Sequence, residues 1–238
     1  MKKAIVIGAT SGIGRALVKV LVENGFMVGA TGRRKHLLDT LQAEHPGKVF
    51  ISAFDVTDAT TVIPNLSALV KELGGLDLLV LSSGTGHINP TLDLALEQAA
   101  IDTNVFPFAQ IAGWSFNFFQ QQQGGHLVGI SSIAGVRGNR HAPAYNATKA
   151  FQISYLEGLR QKAVNGRWPV FITDIRPGFM DTAMAQGDKV FWVAPVEKAA
   201  RQIYRAIEKK KSVAYITRRW RIIALLMRLM PRALYERL

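Results

Sequence analysis

The chain has 238 residues, of which 48 % are hydrophobic, and it carries a formal net charge of +12 and no cysteine. This length supports one large domain with a substantial core, and the lack of cysteine excludes disulfide staples and thiolate metal sites. The five histidines are scattered without metal-ligand spacing, so we predict no metal site.

Short β-branched runs alternate along the chain with longer segments of helical periodicity, which is typical of a parallel sheet with crossover helices. The sequence therefore predicts an α/β fold: a doubly wound, seven-stranded parallel sheet with helices on both faces. The predicted strands are KAIVIG, MVGAT, KVFISAF, DLLVLS, HLVGIS, VFITDI and SVAYIT. The predicted helices lie near 12–24, 35–44, 58–73, 91–120, 143–165 and 195–208.

A glycine-rich turn, GATSGIGRAL, joins the first predicted strand to the first predicted helix. Gly8, Gly12 and Gly14 give it the spacing G-x-x-x-G-x-G. Glycines at such a turn let the backbone approach a pyrophosphate, which then lies at the positive end of the helix dipole. A tight structural connection is the alternative interpretation of this turn taken alone.

Two arginines follow the second predicted strand in the segment GATGRRKHL. NAD-binding proteins carry an Asp or Glu here that binds the ribose hydroxyls of the cofactor. Arg33 and Arg34 stand in that place, and a guanidinium can form paired, charge-assisted hydrogen bonds to a phosphate. The sequence therefore predicts NADP(H) over NAD(H), with a solvated basic turn as the alternative.

A tyrosine and a lysine are four residues apart in AYNATKA, near the start of the fifth predicted helical segment. Tyr145 and Lys149 therefore share one helix face. The pKa of a phenol in water is about 10, so a tyrosine needs a nearby cation to act as an acid or base at neutral pH. Ser132 ends the fifth strand, at the sheet edge where ligands bind in open α/β folds. Such a pair is usually a surface pair, but together with Ser132 and the glycine turn it indicates an active site.

These motifs resemble the short-chain dehydrogenase/reductase (SDR) family over residues 3–208. The family's turn and its Y-x-x-x-K match the residues above, and its serine maps to Ser132, with Ser131 less well placed. Its helix-four asparagine matches Asn104 in IDTNVF. One departure is LSSG at 81–84 in place of N-N-A-G: Ser82 has fewer hydrogen-bonding groups than asparagine. We expect a local rearrangement there, with cofactor binding retained because Gly84 is kept.

The resemblance implies a Rossmann-like domain over residues 1–217 and the site residues of an enzyme. The implied catalytic residues are Asn104, Ser132, Tyr145 and Lys149. The implied cofactor-binding residues are Gly8, Thr10, Ser11, Gly12, Ile13, Gly14, Arg33, Arg34, Asp55, Val56, Ser83, Gly84, Tyr145, Lys149, Pro177, Gly178 and Thr182.

The resemblance also implies a mechanism, in which a ketone or aldehyde is reduced to an alcohol, or the reverse, by hydride transfer. Tyr145 is the expected general acid or base, and Ser132 is expected to hydrogen-bond the carbonyl oxygen. Lys149 is expected to lower the pKa of Tyr145 and to hold the nicotinamide ribose, and Asn104 to hold a water that links Lys149 to solvent. A catalytically silent NADP-binding or redox-sensing protein is the alternative.

The expected substrate pocket contains large apolar side chains, which favours a lipophilic or aromatic carbonyl compound. Its candidate lining residues are His87, Arg137, His141, Phe179, Met184, Phe191 and Trp192.

The tail, residues 218–238, is predicted to form an amphipathic basic helix. The wider segment 209–238 contains nine basic side chains and one acidic side chain, so it supplies +8 of the net charge of +12. Its apolar residues Ile222, Leu225, Leu226 and Leu229 recur at helical spacing. This face can lie in a membrane interface, or pack on the protein's own core or on a second subunit, the packed arrangements being favoured. A lipid-type SDR reductase at a membrane surface is a further alternative.

The remaining predictions concern partners and location. A nucleic-acid partner is disfavoured because the tail offers only Trp220 and Tyr235 for stacking. Aromatic residues in the fourth predicted helix, together with the family resemblance, predict a homodimer or homotetramer. No apolar stretch reaches the roughly 18 residues of a membrane span, so a cytoplasmic protein is expected, with the inner membrane surface as the alternative location.

Overall fold

The computed structural model describes residues 1–182 and 191–237. Its centre is a sheet of seven parallel strands in the order β3-β2-β1-β4-β5-β6-β7, which confirms the predicted doubly wound fold. The strands are β1 (Lys2–Ile7), β2 (Phe26–Gly32), β3 (Val49–Ala53), β4 (Leu78–Leu81), β5 (Gly125–Ile130), β6 (Val170–Pro177) and β7 (Val213–Ile216). The helices are α1 (Gly12–Glu23), α2 (Lys35–Glu44), α3 (Ala59–Leu73), α4 (Leu94–Asn104), α5 (Phe106–Gln121), α6 (Pro143–Asn165), α7 (Val196–Glu208), α8 (Trp220–Leu229) and α9 (Arg232–Tyr235), with a short 3-10 helix at Ile133–Val136.

Alternating strand residues build one core on each face of the sheet, as strand geometry requires. Ala4 and Val6 point to the core that α1, α2 and α7 cover. Ile5 and Ile7 point to the opposite core, under α3, α5 and α6. Ile7 pairs with Thr31 of β2 and with Leu81 of β4, so the three strands end level. The order of the strands reverses between β1 and β4, and this is where a ligand crevice opens in such sheets.

The single helix predicted at 91–120 is two helices, α4 and α5, which meet at Val105. Pro107 lies in the first turn of α5 and has no N–H to donate to the carbonyl of Thr103, so the helical hydrogen-bond pattern is interrupted where the two helices meet. The predicted tail helix is also divided, because α8 ends at Leu229 and Pro231 precedes α9.

The aromatic residues of α5, on which the prediction of an oligomer partly rested, are mostly inside the protein. Phe108, Phe116 and Phe119 are buried, and Trp114 packs against the same core. Phe106 is the large aromatic residue of α5 that stays mainly exposed. The aromatic content of this helix therefore gives little support to an oligomer.

Over the ranges 1–182 and 191–237, none of the helices is both long and apolar enough to cross a membrane. In the same ranges, His, Asp and Glu side chains form no cluster that could hold a metal ion.

His126 in β5 makes stability depend on pH. Its ring is buried, with Nε2 2.8 Å from Thr173 Oγ1, and burial, aided by the charge of Lys210, lowers its pKa to about 4. In the unfolded chain His126 takes up a proton at about pH 6.5, whereas in the folded protein it does so only at about pH 4. The stability that comes from the neutral, buried ring is therefore complete above the higher pH and is lost as the pH falls towards the lower one. Urea unfolding should show that the free energy of unfolding falls by about 2 kcal/mol between about pH 7 and pH 5. This fall should be absent in His126→Gln.

The matched control for this measurement is His36→Gln, because His36 is exposed on α2. The two variants should differ in their pH dependence. An unchanged acid-induced loss in His126→Gln would contradict the assignment.

Candidate active site

The turn between β1 and α1 needs glycine at each of its three positions. Gly8 and Gly12 have φ of +86° and +56°, where side chains are strained. A Cβ on Gly8 would lie 2.7 Å from the backbone nitrogen of Ser83, and one on Gly14 would overlap the carbonyl oxygen of Gly8. Ser11 makes no side-chain capping bond, and the first turn of α1 holds no acidic residue. The first backbone amide groups of α1 are therefore available to an anion.

Arginine side chains from the end of β2 lie beside this turn. Arg34 Nη2 donates to Thr10 Oγ1 at 2.6 Å and to Ser11 Oγ at 2.8 Å. Arg33 Nη1 lies 3.4 Å from Asp55 Oδ2. Burial acts to raise the pKa of Asp55, but hydrogen bonds from Thr57 and the charge of Arg33 outweigh it and lower that pKa. A patch of positive charge thus borders the glycine turn.

The segment after β4 brings the turn and the catalytic candidates together. Ser82 N donates to Ile7 O at 2.9 Å, so the connection to β1 is made by backbone despite the missing asparagine. A Cβ on Gly84 would lie 3.1 Å from Asn104 Oδ1 and 3.4 Å from Lys149 Nζ. Gly84 therefore lets both side chains approach the backbone.

Ser132, Tyr145 and Lys149 meet at the carboxyl edge of β5. Ser132 Oγ accepts a hydrogen bond from Ala134 N at 3.1 Å and caps the short 3-10 helix. Lys149 Nζ lies 5.8 Å from the centroid of the Tyr145 ring. Ser131 Oγ instead binds Asp174 and the carbonyl of Ile175, so it points into the sheet. Ser131 is therefore engaged within the sheet, and Ser132 stays the predicted catalytic serine.

Burial decides the pKa values of the tyrosine and the lysine. It raises the pKa of Tyr145, and the nearby Ser132 hydroxyl lowers that pKa only in part. It lowers the pKa of Lys149 to about 8, against the opposing charge of Asp174. The pKa of Tyr145 is therefore raised and not lowered as expected, and the group that acts to lower it is the Ser132 hydroxyl.

Gln152 is a site residue that the sequence analysis missed. Lys149 Nζ donates to Gln152 Oε1 at 2.9 Å and to Ile130 O at 3.2 Å. Gln152 Nε2 in turn donates to Asn104 O at 2.9 Å. The side-chain amide of Gln152 thus links Lys149 to the backbone of Asn104. The spacing of three residues from Lys149 on one helix was the available signal.

Hydrogen bonds from its side chain fix Asn104 in place. Its Oδ1 accepts from Thr85 N at 2.9 Å, and its Nδ2 donates to Thr85 O at 2.7 Å and to Thr148 Oγ1 at 3.0 Å. These bonds fix the end of α4 against the segment after β4. Asn104 is therefore an organising residue of the site.

Gly86 allows the ring of Tyr145 to lie against the backbone. A Cβ at this position would lie 2.7 Å from Tyr145 Cε2 and closer still to Cδ2. The sequence indicated no such requirement, because the glycine and the tyrosine are far apart along the chain.

The predicted substrate residues have different surroundings. His87 and His141 are exposed, and His87 Nε2 lies 3.3 Å from Thr85 Oγ1. Arg137 is occupied elsewhere: its Nη1 donates to Met227 O at 3.0 Å and to Met230 O at 2.8 Å. Its guanidinium is therefore engaged with the tail, contrary to the expectation that it faces substrate. Met184 lies outside the described residues.

The segment after β6 packs on the tail. Pro177 ends β6, and a Cβ on Gly178 would overlap the Trp220 indole. Phe179, Phe191 and Trp192 surround the same indole, with ring centroids 5.6, 5.2 and 5.9 Å away. Thr182 Cγ2 would lie 3.3 Å from a Cβ on Gly12, so this segment also reaches the glycine turn.

Fold and site together define a doubly wound α/β protein that carries a tyrosine and a lysine at the carboxyl edge of its sheet, next to the point between β1 and β4 where the strand order reverses. The family model described as short chain dehydrogenase matches residues 2–215. The chain therefore belongs to the short-chain dehydrogenase/reductase family.

Relatives and solved structures agree with this assignment. An oxidoreductase of Myxococcus xanthus is 37 % identical over 188 residues, covering 77 % of this chain and 74 % of its own. An oxidoreductase of Staphylococcus epidermidis is 31 % identical over 190 residues, covering 78 % and 81 %. A crystal structure of a short-chain dehydrogenase from Streptomyces avermitilis has a TM-score of 0.79 at 24 % identity, covering 90 % and 88 %. The closed form of a serine dehydrogenase complexed with NADP+ has a TM-score of 0.78 at 24 % identity, covering 86 % and 88 %.

Proposed function

We propose that this oxidoreductase uses NADP(H) to reduce a lipophilic or aromatic ketone or aldehyde to the alcohol, or to run the reverse reaction. The observation that carries the proposal is the meeting of Ser132, Tyr145 and Lys149 at one sheet edge, beside the glycine turn. A silent cofactor-binding protein would not need this group of side chains.

The described residues fit a dinucleotide. The glycine turn, with Thr10, Ser11 and Ile13, would hold the pyrophosphate at the amide groups of α1. Arg33 and Arg34 would bind a 2′-phosphate, and Asp55 and Val56 would border the adenine. The ribose and nicotinamide would lie along Ser83, Gly84, Lys149, Pro177, Gly178 and Thr182. When bound, the cofactor supplies or accepts the hydride.

Each catalytic side chain then has a defined task. Ser132 donates a hydrogen bond to the carbonyl oxygen of the substrate, and Tyr145 gives that oxygen a proton. The phenol of Tyr145 is protonated at neutral pH, as reduction requires. Lys149 stabilises the phenolate that results, and Gln152 holds the ammonium group in place.

A panel of carbonyl compounds tests the proposal. Aldehydes and ketones ranging from small polar to aromatic and long-chain are incubated with the protein and NADPH, and loss of NADPH and formation of the alcohol are measured. We expect turnover with the lipophilic members. No turnover of any carbonyl or alcohol by protein that binds NADPH would favour the silent alternative.

Cofactor preference is a separate prediction. A 2′-phosphate gains charge-assisted hydrogen bonds from Arg33 and Arg34, each worth roughly 1.5–3 kcal/mol. Fluorescence titration should show tighter binding of NADPH than of NADH, and Arg33→Ala/Arg34→Ala should weaken NADPH binding by about ten- to a hundredfold. NADH affinity should fall much less, because NADH has no 2′-phosphate and loses only the contacts that Arg34 makes with Thr10 and Ser11.

Lys48→Ala serves as the control for these titrations, because Lys48 precedes β3 away from the turn. Equal affinity of the unmodified protein for the two cofactors would contradict the prediction.

The oligomer and the cytoplasmic location belong to the proposal as well. Family resemblance supports a homodimer or homotetramer, which light scattering after size-exclusion chromatography would measure.

A further inference from the structure

A second concave region lies beside the edge strand β7, away from Ser132 and Tyr145. It is a cavity of about 1010 Å³ whose floor includes the residues of β7. Glu157 is the acidic residue in its lining, as far as residues 1–182 and 191–237 define it. The basic residues in the lining are Arg160, Arg176, Arg205, Lys209, Lys211, Arg218, Arg221 and Arg228.

Most of these cations are not neutralised within the described parts of the chain. Arg176 pairs with Asp174 at 2.7 Å, and Arg160 donates to Ser212 O at 3.1 Å. The other six form no ion pair with a described acidic side chain. Like charges gathered in one concavity repel one another and create a strong positive potential. The cavity is therefore suited to a phosphate-bearing anion.

The apolar face of α8 adjoins this cavity and points outward. Trp220 and Ala224 are buried on the opposite side of the helix, whereas Ile222, Leu225, Leu226 and Leu229 are 63 %, 55 %, 55 % and 71 % exposed. The predicted packing of this face on the protein's own core therefore does not occur. Leu225 lies between Arg221 and Arg228 along the cavity rim. Cationic and aliphatic surfaces thus meet along one helix.

We propose that the cavity and the apolar face of α8 together dock on an anionic phospholipid membrane. Phosphate-bearing headgroups enter the cavity, and the four aliphatic side chains enter the acyl boundary, as for interfacial helices. Amphiphilic lipid complements both halves of the surface. Nucleic acid would leave the aliphatic side chains in water. A second copy placed symmetrically on this surface would bring two sets of the same cations together.

The buried side of α8 is anchored to the catalytic domain. Phe191 and Trp192 are about half exposed, and both contact the buried Trp220 at the start of α8. The helix is therefore fixed on the protein by the side that carries Trp220, and its aliphatic side is left outward for lipid.

Vesicle cosedimentation with the full chain tests the proposal. We expect binding to vesicles of phosphatidylcholine with phosphatidylglycerol, reduced by salt, and little binding to phosphatidylcholine alone. Arg221→Gln/Arg228→Gln should weaken the binding by about tenfold or more. Leu225→Gln/Leu229→Gln should weaken it by about tenfold as well, since the acyl contact is lost. All four side chains are exposed, so thermal unfolding should show intact folds.

Lys2→Gln/Lys71→Gln is the matched control, because it removes the same charge from the start of β1 and from α3. This variant should bind as the unmodified protein does. Three results would overturn the proposal: equal binding to both vesicle types, binding that survives both double substitutions, or a lipid-free dimer that Leu225→Gln/Leu229→Gln converts to monomer. The last result would show that a second copy covers the face. None of these measurements depends on enzymatic activity.

Discussion

Tyr145→Phe is expected to lower kcat by about 10²–10⁴-fold, since the variant has no proton to donate to the carbonyl oxygen. The phenyl ring keeps its packing against Gly86, and the glycine turn and arginines are untouched. NADPH binding should therefore change little. Steady-state kinetics on the best substrate of the carbonyl panel, with a fluorescence titration of NADPH, would measure both quantities.

Tyr155→Phe provides the control, because Tyr155 is also in α6 but its hydroxyl lies 3.4 Å from Ala109 O, away from the cleft. This variant should keep most of its activity. If Tyr145→Phe turned over substrate at the normal rate, another group would have to be the acid. If NADPH binding were lost together with activity, the Tyr145 hydroxyl would have a role in cofactor binding, and the loss of activity would not identify it as the acid.

The substitution Gly86→Ala is expected to be nearly as damaging, although it removes no catalytic group. The added methyl would overlap the ring of Tyr145, so either the ring or the segment after β4 must move. A displacement of about 1 Å in a catalytic group can cost about a hundredfold in rate. Kinetics should show the loss in kcat, whereas NADPH affinity should fall much less.

Gly138→Ala is the matched control, since Gly138 lies in the loop between Ser132 and Tyr145 and an added Cβ would meet nothing within 4 Å. Normal kinetics in both glycine variants would mean that the site tolerates a shift of Tyr145. A crystal structure of Gly86→Ala would locate the displaced ring directly.

The sequence predicted what depends on local pattern. Strand periodicity gave the seven parallel strands, and the glycine turn, Tyr145 and Lys149 were visible as short motifs. Their meeting at one sheet edge followed from the rule that carboxyl ends of parallel strands share an edge. The break between α4 and α5 was also accessible, because Pro107 removes a helix donor.

What the sequence could not predict depends on contacts between distant residues. The need for glycine at position 86 arises only when the ring of Tyr145 is placed against it. Arg137 is bound by carbonyl groups some ninety residues away, which no spacing rule foresees. The pKa of Tyr145 follows burial, and burial is a property of the assembled fold.

The contacts of Arg137 also have a thermodynamic consequence. Arg137 and Gly138 belong to the loop between Ser132 and Tyr145. The hydroxyl of Tyr235 donates to the Gly138 carbonyl at 2.6 Å, and the Tyr235 ring lies 4.1 Å from the Arg137 guanidinium. The last helix is thereby joined to the catalytic loop, so the order of one is linked to the order of the other. This linkage is reciprocal. A ligand that binds the tail more tightly when α9 contacts the loop also favours the ordered loop. A substrate that binds the ordered loop more tightly favours the contact with α9 in return.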